Sequence, residues 1–313
     1  MRVPPPPVEN PLEAIGNTPV VRLRKVVPDG HANLYLKLES FNPTGSYKDR
    51  MAKPLIEEAE RRGELKPGMT VVEATGGSTG SALAFVCAAK GYNFHVVSSN
   101  AFAQEKLRTM SAFGATVDTV PSACVTADLI PRMNERAQEV EGQGNCYRTN
   151  QFTNRDAFVG YTEMAGELVQ QFPGGIDAFC GMAGTAGMVI GVARALKRKW
   201  PQIRVVVCEP DGSPVLTEGR PGSHHVEGTG VGYVPPLLDP ACYDEARAIS
   251  ESEGRQMARR LAREEGLMVG TSSGLNVVAA IALAKELGPG KTVVTVACDT
   301  GLKYLNGDLF ADA

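Results

Sequence analysis

Short apolar runs alternate along this chain with longer stretches whose small and apolar residues recur at helical spacing. Residues 34–38, 70–73, 94–97, 116–120, 178–182, 203–208 and 292–296 read as strands. Between them, residues 81–90, 104–113, 125–140, 189–200, 252–265 and 276–286 read as helices, and a further helix opens at Lys48. Strand, turn and helix in repeated succession predict an α/β fold of mostly parallel sheets covered by helices. The succession occurs twice, which predicts two domains, residues 1–150 and 151–313, with the segment to about residue 36 able to pack on either.

Composition narrows the function classes. At 313 residues, with 43% hydrophobic and 21% charged, the chain can bury a sizeable core and is not disordered. A net charge of −3 without a Lys/Arg run argues against nucleic acid as a partner. No apolar run approaches a membrane span, and the start, Met1 to Pro7, lacks the apolar centre of a signal peptide, so a cytoplasmic protein is expected. The proline run at 4–7 reads as an extended or disordered lead. Seven scattered cysteines without a CxxC read as reduced, mostly buried thiols, and no metal site is expected.

The candidate chemistry lies in the turns. Asn42-Pro43-Thr44-Gly45-Ser46-Tyr47-Lys48-Asp49-Arg50 puts a lysine in the opening turn of a helix, where the positive end of the dipole disfavours the ammonium. A lysine that loses its proton easily can form a Schiff base, although most lysines are solvated surface charges. The loop Glu73 to Gly80 offers converging hydroxyls and N–H groups to a ligand, or is a tight turn with a helix cap. Gly181 to Gly187 would make a phosphate cradle at a helix start, or serves close helix–strand packing. It is neither a Walker loop nor a GxGxxG loop. Gly228 to Pro236 reads as a flexible wall, because two prolines forbid an immediate helix. Ala297 to Gly301 ends a strand in polar side chains, which suit a ligand or a cap equally.

In this order, the segments resemble the cysteine synthase and cystathionine β-synthase family, the fold-type II enzymes of pyridoxal phosphate (PLP). Residues 15–23, 150–152, 264–274 and 301–305 fit as well, so the resemblance covers nearly the whole chain. It implies that Lys48 is the Schiff-base lysine. Ser78 stands where a residue contacting the cofactor's 3′-oxygen is found, and Gly184, Thr185, Ala186, Gly187 and Met188 stand at the phosphate cup. Thr300 stands at the pyridine nitrogen. Thr75, Gly76, Gly77 and Thr79 stand at the substrate carboxylate, with Gln151 on its other side and Gly228 in the substrate wall. Several positions depart from the family pattern. Ser78 replaces Asn, Met188 replaces Thr, Ala186 replaces Gly, Glu227 replaces Gln, and Thr153-Asn154-Arg155 replaces Glu-Asn-Pro.

The resemblance implies β-replacement on an activated serine, from O-acetylserine or a related donor with sulfide or another nucleophile. The altered Ser78 loop motivates an alternative, β-elimination from cysteine or serine. Met188 motivates a third reading, a binding protein without catalysis. The expected partners are a small amino acid and a second copy of the chain.

Overall fold

The computed structural model describes residues 7–122 and 128–311. Ten strands fall in two sheets. They are β1 (Val20–Arg22), β2 (Asn33–Leu38), β3 (Thr70–Ala74), β4 (Asn93–Ser98), β5 (Thr116–Thr119), β6 (Cys146–Arg148), β7 (Ala178–Met182), β8 (Arg204–Pro210), β9 (Glu245–Ile249) and β10 (Thr292–Ala297). The α-helices are α1 (Lys48–Arg62), α2 (Ser78–Lys90), α3 (Gln104–Ala112), α4 (Leu129–Glu141), α5 (Ala157–Gln171), α6 (Gly187–Lys199), α7 (Val215–Glu218), α8 (Glu251–Arg260) and α9 (Thr271–Leu287).

The larger sheet runs β1-β2-β10-β7-β8-β9 and the smaller runs β5-β4-β3-β6. Every pairing is parallel except β1 with β2, so the expected α/β architecture of helix-covered parallel sheets is present. Parallel strands covered on both faces read as continuous apolar runs. In the larger sheet, Phe179, Val205, Val207 and Val294 face α5 and α6, while Cys180, Val206, Cys208 and Val293 face α9. The smaller sheet divides in the same way, with Val71 and Val96 on one face and Val72 and Val97 on the other.

Differences from the sequence reading cluster at helix starts. Helices expected from residues 81, 189 and 276 begin at Ser78, Gly187 and Thr271. Small and hydroxyl residues placed in turns thus form first helical turns, where backbone N–H groups have no intrahelical partner. The helix expected over 252–265 changes to a wider π turn at Leu261–Glu265. There Glu265 accepts the N–H groups of Arg24, Lys25 and Val26 at 2.6–3.1 Å. The helix expected from 125 is seen from Leu129, and residues 125–127, like most of the proline run, lie outside the described residues. Strands β1, β6 and β9 and helices α5 and α7 have no counterpart in the sequence pattern.

A buried ionic cluster ties α1 to its surroundings. Arg50, 2% exposed, donates to Glu39 at 2.6 and 2.9 Å and to both carboxylate oxygens of Glu167 at 2.8 Å. Lys37 also donates to Glu167 at 2.6 Å and to the Thr18 carbonyl at 2.8 Å. Helices α1 and α5 approach closely here, since a side chain at Gly160 would overlap the Arg50 carbonyl.

Candidate active site

Lys48 is presented by two segments that pair edge to edge. Leaving β10, Ser46 bridges Asp299, the Tyr47 N–H donates to the Cys298 carbonyl at 3.0 Å, and the Thr300 N–H donates to the Gly45 carbonyl at 2.9 Å. Gly45 has φ of +77°, and a side chain there would meet the Thr300 methyl at 2.7 Å. Lys48 is buried, with its Nζ 5.0 Å from the centre of the Tyr47 ring. Burial lowers its pKa to about 8, while Cys298 and Glu73 act in the opposite sense. Desolvation therefore favours the neutral, nucleophilic amine, as the helix-start position suggested for a different reason. With a pKa near 8, the neutral fraction grows about tenfold per pH unit below that value. The rate at which cofactor-free protein captures an aldehyde is expected to rise likewise from pH 6 to 8 and then level. A stopped-flow absorbance profile that keeps rising to pH 10 would contradict the depressed pKa.

The loop after β3 lies alongside. Buried Glu73 accepts the Thr149 hydroxyl at 2.6 Å and the Gln151 N–H at 3.0 Å, which fixes the Gln151 backbone. The Thr79 hydroxyl donates to Gln151 Oε1 at 2.7 Å, so these two predicted residues are in contact. The Gly77 N–H donates to Thr75 Oγ1 at 3.2 Å. Thr75, Thr79 and Gln151 are all buried, and a side chain at Gly76 would overlap the Phe102 ring. Ser78 opens α2 and faces the other sheet's residues, with Lys303 Nζ donating to it at 3.1 Å and Asp299 Oδ2 3.5 Å away.

Gly184, Thr185 and Ala186 form the turn from β7 into α6. Ala186, at φ +64°, adopts the left-handed region in which an alanine costs about 1–2 kcal/mol relative to glycine. The Gly187 N–H donates to Thr185 Oγ1 at 3.3 Å. A side chain at Gly184 would overlap the Gly228 carbonyl, so the cup and the third glycine loop touch through backbone. The Gly230 N–H to Ala183 carbonyl bond (3.1 Å) pins that loop, which is less free than a flexible wall. Met188 packs into the core with Val189 and Phe179, and its Cε lies 3.0 Å from the place a Gly181 side chain would begin.

Thr300 Oγ1 accepts the Leu302 N–H at 3.3 Å and so caps the short helix that follows. A second hydroxyl, Ser272 at the start of α9, stands against the Cys298 thiol, which in turn neighbours Lys48. This stretch fits the family resemblance, but the sequence reading assigns Ser272 no role of its own. Its one signal is the Ser-Ser-Gly run opening a helix.

A second polar group, in which the sequence singles out Glu227 but not Lys106, joins the two sheets across the site mouth. Lys106 of α3 is buried, pairs with Glu227 and lies 4.7 Å from the Tyr304 ring centre. Tyr304 donates to Asp299 at 2.8 Å. Burial raises the Asp299 pKa and lowers that of Lys303.

The predicted residues therefore sit at the carboxyl ends of β3, β7 and β10, where ligands bind in parallel sheets. A buried amine of low pKa suits an aldehyde. A glycine-lined helix start suits a phosphate ester, and the buried Thr229 hydroxyl beside the cup lacks a partner among the described residues. These residues fit PLP. Among the described residues no His/Cys/Asp/Glu group could hold a metal ion, and no helix is long and apolar enough to cross a membrane.

Comparison with known proteins agrees with this chemistry. Residues 12–299 match the family model described as pyridoxal-phosphate dependent enzyme. Cysteine synthase of Staphylococcus aureus (strain Mu50) is 43% identical over 307 residues, covering 97% of this chain and 98% of the relative. The crystal structure of cysteine synthase from Entamoeba histolytica superposes with a TM-score of 0.93 at 33% identity, covering 99% of this chain and 94% of that one. That of O-ureido-L-serine synthase gives 0.92 at 36% identity, covering 97% and 96%. A lysine amine suited to an aldehyde, a phosphate cup and these likenesses converge, and the chain belongs to the cysteine synthase family of pyridoxal-phosphate dependent enzymes.

Proposed function

We propose that the protein catalyses β-replacement on an activated serine, with Lys48 as the catalytic residue. The observation that carries this reading is the place of Lys48: a buried amine of pKa about 8 beside both the Thr75–Thr79 loop and the segment leaving β10. Bound PLP supplies an electron sink that stabilises negative charge at the α carbon of an amino acid. In its neutral form the Lys48 amine takes the α proton, and its ammonium form returns a proton later. Thr75, Gly76, Gly77 and Thr79 hold the substrate carboxylate through hydroxyl and N–H groups, and the Gln151 amide completes that side. Gly184, Thr185, Ala186 and Gly187 hold the cofactor phosphate, Met188 contributing its backbone alone, while Gly228 walls the substrate. Ser78 would meet the cofactor's 3′-oxygen. Thr300 or Ser272 would offer a hydroxyl to the pyridine nitrogen, and a neutral hydroxyl there would not enforce its protonation, which would moderate the sink. Low exposure across Lys48, Thr75, Thr79 and Gln151 keeps water from the reacting carbon.

The relatives named as cysteine synthases support O-acetylserine as donor and sulfide as nucleophile. The O-ureido-L-serine synthase likeness supports a nucleophile other than sulfide just as directly. In the replacement reading, O-acetylserine with sulfide gives cysteine faster than cysteine alone gives sulfide and pyruvate. Product analysis by mass spectrometry decides it, and predominant pyruvate would favour elimination. A homodimer working in the cytoplasm completes the proposal, which sedimentation and cell fractionation test.

A further inference from the structure

Two buried hydroxyls without a hydrogen-bond partner among the described residues flank the start of α6. The first belongs to Tyr161 of α5, which is fully buried. Its Cβ lies 2.7 Å from the place a Gly191 side chain would begin, and its Cε2 lies 3.3 Å from the corresponding place at Gly187. Gly187 is the first residue of α6 and Gly191 lies a turn further on. The Tyr161 side chain therefore runs along the first turn of α6 toward its N-terminus, with its ring edge at Gly187 of the cup and its ring centre 5.9 Å from that of Tyr47. The second hydroxyl is that of Thr229, 7% exposed. Its Cα is 3.7 Å from the place a Gly184 side chain would begin, so it borders the other end of the same turn.

Glycine at 184 and 191 is what admits these neighbours, because a side chain at 191 would collide with Tyr161 and one at 184 with the Gly228 carbonyl, which precedes Thr229. Buried hydroxyls are almost always paired, and two unpaired ones at a single helix start call for an acceptor between them. The same cup lacks a hydroxyl at Met188, whose side chain is committed to the core.

We propose that Tyr161 and Thr229 are phosphate-binding residues, donating from outside the cup in place of the hydroxyl absent at position 188. The inference rests on PLP as the bound cofactor and deepens that reading. Burial keeps Tyr161 protonated, since its pKa lies well above that of a free tyrosine, so it donates at any pH the enzyme meets. A phosphate oxygen accepts each hydrogen bond, and the free N–H groups at the start of α6 take the remaining oxygens.

The test compares cofactor-free wild type with Tyr161→Phe, Thr229→Val and the double variant, using PLP and pyridoxal as probes. Each single change is expected to weaken PLP binding roughly 10- to 100-fold, as measured by quenching of tryptophan fluorescence. Pyridoxal, which lacks the phosphate, should bind all four proteins alike. The phosphorus NMR shift of bound PLP should move in each variant. The melting temperature of the cofactor-free variants should stay level or rise, because an unpaired buried hydroxyl has been removed. Unchanged PLP affinity in the double variant overturns the proposal. So does equal loss of PLP and pyridoxal, or a lower melting temperature without cofactor, since either shows that the hydroxyls serve the fold. A wild type that binds pyridoxal but not PLP defeats this inference alone. One that binds neither defeats the cofactor reading beneath it.

Discussion

Lys48→Ala is expected to abolish the yellow absorbance of the purified protein and to lower kcat/KM by about 10³-fold or more. The loss is large because one amine performs two tasks. It anchors the cofactor covalently, and it moves the α proton, which by itself is typically worth 10²–10⁴-fold. The fold should survive. Among the described residues Lys48 forms no ion pair, and removing a buried amine relieves a desolvation cost, as its lowered pKa attests. Added methylamine should restore part of the rate, because the vacated space lies beside the site. A variant that retains both colour and rate would place the Schiff base elsewhere. Absorbance spectra and steady-state kinetics on the same preparation measure both quantities.

The second large effect is on stability. Glu167→Ala is expected to destabilise the protein by about 3–5 kcal/mol, because it leaves two cations, Arg50 and Lys37, buried with reduced compensation. Replacing the whole cluster with apolar side chains would be far less harmful, since the desolvation penalty would vanish along with the attraction. The pH dependence has a definite sign. Arg50 and Lys37 hold the Glu167 carboxyl down to about 2, against the cost of burial. A depressed carboxylate stabilises fully above its unfolded pKa, near 4.3, and loses that contribution as pH falls toward 2. The gap between wild type and variant should thus be constant from pH 7 to 5 and narrow below about 4.3. Buried Asp49 works in the other direction. Burial raises it to about 6, so the folded state takes up that proton first and gains stability as pH drops from 6 toward 4. Measuring both proteins by urea unfolding cancels the Asp49 contribution. A gap below 1 kcal/mol at pH 7 would show that the cluster is solvated.

The sequence revealed those elements whose burial is two-sided. Residues 178–182 and 292–296 are apolar at nearly every position because helices cover both faces of the larger sheet. Strand β9 escaped notice because its Glu-Ala-Arg-Ala-Ile run sits at the sheet edge, where charged residues are tolerated. Strands β1 and β6 have three residues each, too few for any period to show. Helix α5 was legible in principle. Ala157, Tyr161, Met164, Ala165 and Leu168 carry the helical spacing, yet the reading assigns no element between the boundary at 151 and the strand at 178.

In the site, sequence order brought out the residues that lie on glycine-rich turns. It missed those whose importance depends on who is left unpaired. Tyr161 looks like any core aromatic until its hydroxyl is found without a partner. Lys106 and Lys303 look like surface charges until α3 and the segment after Thr300 bury the first and half-bury the second across the site mouth. Such facts belong to the packed chain and have no local signature.

The pairing of Ser46 with Asp299 also sets an order of events during synthesis. The two partners are about 250 residues apart, so at ribosomal speeds of roughly 5–20 residues per second the lysine segment waits some 10–50 seconds for its clamp. Strand β2 waits equally long for β10, its parallel neighbour. A nascent chain therefore carries Lys48 exposed and fully basic, a poor trap for aldehydes, through most of translation. The burial that lowers the Lys48 pKa is complete only once β10 has emerged and paired, which makes cofactor loading a late, post-assembly step.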